Sequence, residues 1–286
     1  MAPTLAVLAG DRYRHARIPG QATKALLTFG GRTSLERVLR AAERSRTFGG
    51  VIVVGPPDLD QAIVAAGVST SVQRVDQGES LVDNLRRAFA AAGLQDAERL
   101  VLATADIPLL APHELARFAA RVDGSSADAC VALARPMQSV SHRTLLRPYR
   151  RSMIIAQGGP YLLGNLFALR SRVLEFADVI GRARRVRQQS SIVNTARALA
   201  TLGLMGARAA PALTTWLRLV IARALWLRGD DDERIPAIAP DTDRIRKATM
   251  ALVADRISVE FVDVGADAAC YDVDDLEQYE AIKAIL

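Results

Sequence analysis

Through the first 135 residues, short continuous apolar runs rich in β-branched residues alternate with segments whose apolar residues recur at helical spacing. No other feature narrows the fold so far. Runs at Thr4–Ala9, Val51–Val54, Val72–Val75, Leu100–Thr104 and Ala129–Leu133 read as strands. Between them, Thr33–Ser45 (with Ser34 as its candidate cap), Ser80–Ala92 (closed by Gly93) and Pro112–Arg121 read as helices. Strands that are apolar along their length are buried on both faces, which requires a mostly parallel sheet with helices on each side. An α/β, Rossmann-like fold is therefore expected. Ligands of such sheets sit beyond the carboxyl ends of the strands, so the loops beginning at Gly10, Gly55, Asp76 and Ala105 are where chemistry is expected.

After Arg135 the rhythm changes. Thr144–Tyr149 and Met153–Ile155 read as a hairpin or mixed strands, and Gly158-Gly159-Pro160 leads into an apolar run, Tyr161–Leu169, with a turn at Gly164-Asn165. A largely helical stretch follows from Arg170 to Arg228, ended by Gly229 and the acidic cluster Asp230-Asp231-Asp232-Glu233. A helix (Asp241–Ala254), a strand (Ile257–Val262), a short run into Tyr271-Asp272 and a last helix (Leu276–Leu286) complete the pattern. The expected organisation is a core over 1–169, a basic helical insert over 170–240 and a return to the core over 241–286.

Charge supports that division. The net charge is +6, from 37 Lys and Arg against 31 Asp and Glu. Arg170–Arg228 holds 11 arginines against two acids, so these 59 residues carry +9 and the remainder −3. A uniformly basic nucleic-acid binder is not expected from such a distribution. The insert combines the run Arg182-Ala183-Arg184-Arg185-Val186-Arg187 with both tryptophans, Trp216 and Trp226. It reads as a helical subdomain on the acceptor site or on a second subunit, or as a peripheral membrane contact through 182–228. Cys130 and Cys270 lie in apolar runs without metal-ligand spacing and read as buried thiols of a reducing compartment. With no secretory pattern at the start and no charge-free membrane span, the cytoplasm is the expected location, with the inner membrane face as the peripheral site.

Four stretches carry chemistry. The first strand ends in Leu8-Ala9-Gly10, where bare backbone lets a polyphosphate approach, and Arg12, Arg14, Arg17 and Lys24 follow as cations able to neutralise a triphosphate. Lys24 stands out because 34 of the 37 cations are arginine. Asp106, at the end of a buried strand and too early to cap the helix at Pro112, suits Mg²⁺, which takes one or two carboxylates and completes its shell with phosphate oxygens and water. In Tyr271–Ile282, a strand running through Asp274 would put Asp272 and Asp274 on one face; Asp274 reads as the second metal carboxylate and Asp272 as its fallback. Gln77-Gly78-Glu79-Ser80 enters a helix on which Ser80 and Asn84 share a face, a setting for an anion or polar ligand, with Ser80 also suited to a plain cap.

Together these stretches resemble the MobA-like nucleotidyltransferases: the Leu8–Gly31 segment, the Gly78–Asn84 stretch, the strand end Ala105-Asp106-Ile107-Pro108-Leu109-Leu110 and the terminal Asp272-Val273-Asp274 motif. The resemblance implies a GT-A-like fold and transfer of a nucleoside monophosphate from an NTP to a phosphorylated small molecule, with release of pyrophosphate. It implies that Leu8, Ala9 and Gly10 approach the triphosphate, that Lys24 holds phosphates with Arg12 and Arg17, and that Gln77, Gly78, Ser80 and Asn84 lie by the nucleoside. Asp106 and Asp274 would hold Mg²⁺, and Gly159, Gly164 and Asn165 would line the acceptor pocket. Asp11 stands where the family carries a second glycine. The alternative readings are a GT-A-like glycosyltransferase using a nucleotide-sugar and a catalytically weakened nucleotide-binding homologue.

Overall fold

The computed structural model describes residues 2–10, 18, 23–94, 98–136, 140–176, 210–229, 234–251, 256–265 and 267–286. In chain order, β1 (Thr4–Leu8) is followed by a small hairpin of β2 (Thr28–Phe29) and β3 (Arg32–Thr33). Next come α1 (Ser34–Ser45), β4 (Gly50–Gly55), α2 (Asp60–Ala66), β5 (Val72–Asp76), α3 (Leu81–Ala92) and β6 (Arg99–Thr104). Then follow α4 (Pro112–Asp123), β7 (Ala129–Ala134), α5 (Val140–Tyr149), β8 (Ile154–Ala156) and β9 (Gly159–Arg170). The described elements end with α6 (Ala210–Arg228), α7 (Arg234–Ile238), α8 (Thr242–Ala251), β10 (Val259–Asp263) and α9 (Leu276–Lys283).

Eight of these strands form one sheet in the order β10-β7-β9-β6-β1-β4-β5, with β8 joined to β9. Neighbours among β5, β4, β1 and β6 are parallel, as are β7 and β10, while β9 runs antiparallel to β6 and β7 between them. The Rossmann-like α/β architecture expected from the apolar runs is thus present. Alternation along the strands decides which helix covers which face. Leu5 and Val7 of β1 pack in one core with Leu35, Val38, Leu115 and Phe118 of α1 and α4, whereas Ala6 packs in a second core with Leu85 and Ala88 of α3.

Three local expectations are corrected. The helix α1 is capped by Thr33, whose hydroxyl accepts the Glu36 N–H while Glu36 reaches back to the Thr33 N–H. Ser34 is inside the helix, and its hydroxyl donates instead to the Ala105 carbonyl at 2.7 Å. Thr144–Tyr149, read as part of a hairpin, is the end of helix α5. Gly164-Asn165 is no turn; β9 runs through it, beside a register shift in β7 between Val131 and Leu133. A Cβ at Gly164 would come 2.7 Å from the Ala132 Cβ, so strand-to-strand approach accounts for this glycine.

Of the basic insert, α6 is helical as expected, with Arg150 stacked over Trp226 at 4.9 Å and Arg218 donating to the Ile238 and Ala237 carbonyls. The run Arg182–Arg187 and the acidic cluster at 230–233 lie outside the described residues. Among the described residues no helix is long and apolar enough to cross a membrane, and Cys130 and Cys270 are buried and unbridged.

Asp128 fastens the far end of the sheet. This buried carboxylate accepts the Ser258 N–H at 2.8 Å and its hydroxyl at 2.7 Å, and pairs with Arg172 at 3.3 Å, joining the start of β7 to the approaches of β10 and β9. Burial opposes its ionisation, but the Ser258 donors and the arginines outweigh burial and hold the carboxyl below the usual aspartate value of 3.8. A depressed carboxyl stabilises the fold above its unfolded pKa and loses that contribution as pH falls. Urea unfolding should therefore find Asp128→Asn less stable than wild type by a constant margin at neutral pH, and the margin should shrink below about pH 4.

Candidate active site

The chain leaves β1 towards β4 and β5 and then returns on the other side of β1 as β6, so the connections diverge between β1 and β6 and open a crevice at their carboxyl ends. Beyond that end of β1, Gly10 lies against the loop from β5. A Cβ there would meet Gln77 Oε1 at 2.7 Å and Asn84 Nδ2 at 2.8 Å, so the backbone approaches both amides as only glycine allows. The Asn84 Oδ1 accepts the Gly78 N–H at 2.6 Å and shapes the loop. Ser80 caps α3, accepting the Asp83 N–H at 3.1 Å while its hydroxyl donates to the Asp83 carboxylate. Leu8 and Ala9 pass beneath, the latter donating to Val54 across the sheet. Arg12, Arg14 and Arg17 lie outside the described residues.

On the β6 side three carboxylates converge. Asp106, two residues past the strand, and Asp272 and Asp274, from the C-terminal return, each place an oxygen within 4.8 Å of the others. Lys24 reaches into the same cluster, with its Nζ 3.6 Å from Asp106 Oδ2 and hydrogen-bonded to Asp274 Oδ1. Burial pulls the ammonium pKa down, but Asp106, Asp274 and Asp272 outweigh it and hold it above the ordinary lysine value. Asp106 Oδ1 is buried and makes no hydrogen bond among the described residues, leaving a lone pair beside two further carboxylates. That donor set fits a hard divalent cation.

Tertiary bonds hold these groups together. The Val273 N–H donates to the Asp106 carbonyl at 3.1 Å, between the two terminal aspartates. Gln278 accepts the Asp274 N–H, and Asp275 caps α9 by accepting the Gln278 N–H at 2.9 Å. Thr23 caps the short 3-10 turn that carries Lys24, and Tyr279 of α9 touches Phe29 (ring centroids 5.2 Å apart) and donates to the Thr28 carbonyl. Residues 271–274 are irregular backbone rather than the strand expected from their spacing, yet both aspartates reach the cluster.

The remaining expected residues stand nearby in sequence order along β9. Gly159 begins the strand opposite Ala156, and Asn165 is buried with its Nδ2 unpartnered. Asn165 adjoins Leu166, which pairs with Ala103, so it lies by Thr104, whose buried hydroxyl also has no partner. Thr104 went unremarked in the sequence, although it is the polar end of the apolar β6 run. Tyr149 and Glu114 were missed as well. The Tyr149 hydroxyl donates to the Asp272 carbonyl, and Glu114, fully buried in α4, accepts the Ala111 N–H at 2.9 Å and the Ala269 N–H at 3.2 Å. Glu114 carries a local signal as the third helical residue after Ala111, but its bond to Ala269 and the Tyr149 bond to Asp272 join residues more than a hundred positions apart.

Residues 5–218 match the family described as the MobA-like NTP transferase domain. The chain belongs to this family. A 2-C-methyl-D-erythritol 4-phosphate cytidylyltransferase of Frankia casuarinae is 33% identical over 126 residues, 44% of this MobA-like chain and 47% of the relative, so the match spans about half of that protein. Among solved structures, a hypothetical transferase from Thermus thermophilus aligns over 98% of this chain and 100% of its own with TM-score 0.63 at 20% identity. A CMP:2-keto-3-deoxy-manno-octonic acid synthetase complexed with CTP aligns over 99% and 98% with TM-score 0.55 at 14% identity. At these identities the structural likeness speaks for the fold.

Burial outweighs the two backbone bonds to Glu114 and raises its carboxyl pKa, so the group sits in a demanding position. Glu114→Gln keeps one acceptor oxygen but turns an amide N–H₂ towards the other backbone donor. It should lower unfolding stability by about 1–3 kcal/mol, measured by denaturant titration at neutral pH.

Proposed function

We propose that the chain transfers a nucleoside monophosphate from an NTP to a phosphorylated small molecule and releases pyrophosphate, with Mg²⁺ held by Asp106 and Asp274, assisted by Asp272. The observation that carries this reading is the meeting of Lys24 with the three carboxylates at the switch point beside the Gly10 backbone. Three converging carboxylates, one of them with a buried oxygen that accepts no hydrogen bond among the described residues, make an oxygen donor set suited to a divalent cation. When bound, the cation would supply charge neutralisation to the phosphates and to the departing pyrophosphate.

The protein's own part is positioning and charge. Gly10, just past the end of β1, is assigned to the triphosphate, and Lys24, beside the carboxylates, to its oxygens once a cation takes over part of their charge. Arg12 and Arg17 are assigned to the same phosphates. Gln77, Gly78 and Asn84 border the nucleoside, and Ser80 serves by capping α3 at that border. A phosphate oxygen of the acceptor attacks the α-phosphorus in line; the new P–O bond forms as the bond to the β-phosphate oxygen breaks, and pyrophosphate leaves with that electron pair. The buried, unpartnered Thr104 Oγ1 and Asn165 Nδ2 favour an acceptor bearing hydroxyls, such as a phosphorylated polyol or alcohol. The partial likeness to a cytidylyltransferase favours CTP as the donor.

Pyrophosphate release measured with each of the four NTPs, Mg²⁺ and a panel of phosphomonoesters should single out CTP with one polyol or alcohol phosphate. Lys24→Ala and Asp106→Asn should each lower the rate at least a hundredfold, at the scale seen when a group stabilising transition-state charge is removed. Absence of release with every combination, or full activity in Asp106→Asn, would overturn the reading.

A further inference from the structure

The two terminal aspartates sit on irregular backbone, so something other than a sheet ladder must hold them opposite Asp106. One anchor is the Val273 N–H bond to the Asp106 carbonyl. The second comes from α5. Tyr149 is buried, its hydroxyl donates to the carbonyl of Asp272, and its ring meets Tyr271 edge-on with centroids 5.0 Å apart. Tyr271 is fixed in turn, its hydroxyl donating to the buried Asp267 carboxylate at 2.5 Å, while Glu114 holds the Ala269 N–H. Every residue from Asp267 to Asp274 is therefore within two positions of a bond to a buried group on α4, α5 or the β6 exit, or of the internal Tyr271–Asp267 bond.

From this geometry we propose that Tyr149 is a positioning residue for the cation site. Its hydroxyl fixes the peptide that follows Asp272, and with it the directions in which the Asp272 and Asp274 carboxylates point, so that the loss of one hydroxyl loosens the cation rather than the fold. The inference rests on the metal reading of the carboxylate cluster given above and deepens it. A group that orients a metal ligand without touching the metal commonly changes metal affinity or activity by tenfold or more when removed.

Mn²⁺ titrated calorimetrically into the whole chain tests this without turnover. Tyr149→Phe keeps the ring and its contact with Tyr271 and removes only the donor; its Kd for Mn²⁺ should rise about tenfold. Asp128→Asn, which loosens the opposite end of the sheet, serves as the control for general destabilisation and should keep the wild-type Kd. With substrates, the Mg²⁺ concentration giving half-maximal rate should rise in Tyr149→Phe, while the rate at saturating Mg²⁺ stays near wild type. Should Tyr149→Phe be too unstable for calorimetry, the rise in melting temperature produced by Mn²⁺ should still be smaller than in wild type. An unchanged Kd in Tyr149→Phe, or an equal rise in Asp128→Asn, overturns the positioning role alone. Failure of the wild-type chain to bind Mn²⁺ or Mg²⁺ overturns the metal reading first and this inference with it.

Discussion

A single backbone bond, from the Val273 N–H to the Asp106 carbonyl, joins two parts of the chain on which everything at the site depends. One end belongs to the exit of β6, which the parallel sheet fixes rigidly. The other belongs to a return segment with no regular structure of its own. Once that bond is made, Asp272 and Asp274 flank the peptide that donates it, and their carboxylates are carried to Asp106 together. The acidic cluster thus depends on this long-range contact, with the Tyr149 bond to the Asp272 carbonyl as its second anchor.

Bringing three carboxylates within 4.8 Å of one another is electrostatically costly, and the surroundings reflect it. Lys24 is drawn in from a capped 3-10 turn, and although burial opposes its charge, the field of the aspartates holds its pKa above the ordinary lysine value. Ser34 and Tyr279 hold that turn's neighbourhood to the β6 exit and to α9, so the cation and the anions approach on separate supports. Asp106 keeps one buried oxygen without a donor among the described residues.

The antiparallel strand β9 enters the sheet between β6 and β7 and brings Asn165 beside Thr104. Its glycine at 164 permits the close passage past Ala132, where the ladder with β7 shifts register. A residue first read as punctuation in the sequence is therefore a packing requirement of the central sheet.

The five apolar runs announced the parallel sheet because a strand buried on both faces leaves an unbroken apolar signal, and the helices between them showed their period and most of their stops. Lys24 and Asp106 stood out for a related reason: each departs from its local composition, a lysine in an arginine-rich chain and an acid at the end of an apolar run, whereas Asp274 stood out by its spacing from Asp272. Short-range signals failed where a side chain had two local uses, as with Ser34 beside Thr33, or where a helix mimicked strand composition, as at Thr144–Tyr149. What the sequence determined by itself was the layered architecture and the candidates for the site, since both follow from contacts between near neighbours and from the chemistry of single residues. Only the tertiary structure decided that Asp272 joins Asp106 and Asp274, that Lys24 faces them, and that Tyr149 and Glu114 brace the segment carrying them. Those facts rest on bonds between residues more than a hundred positions apart, whose geometry no local pattern encodes.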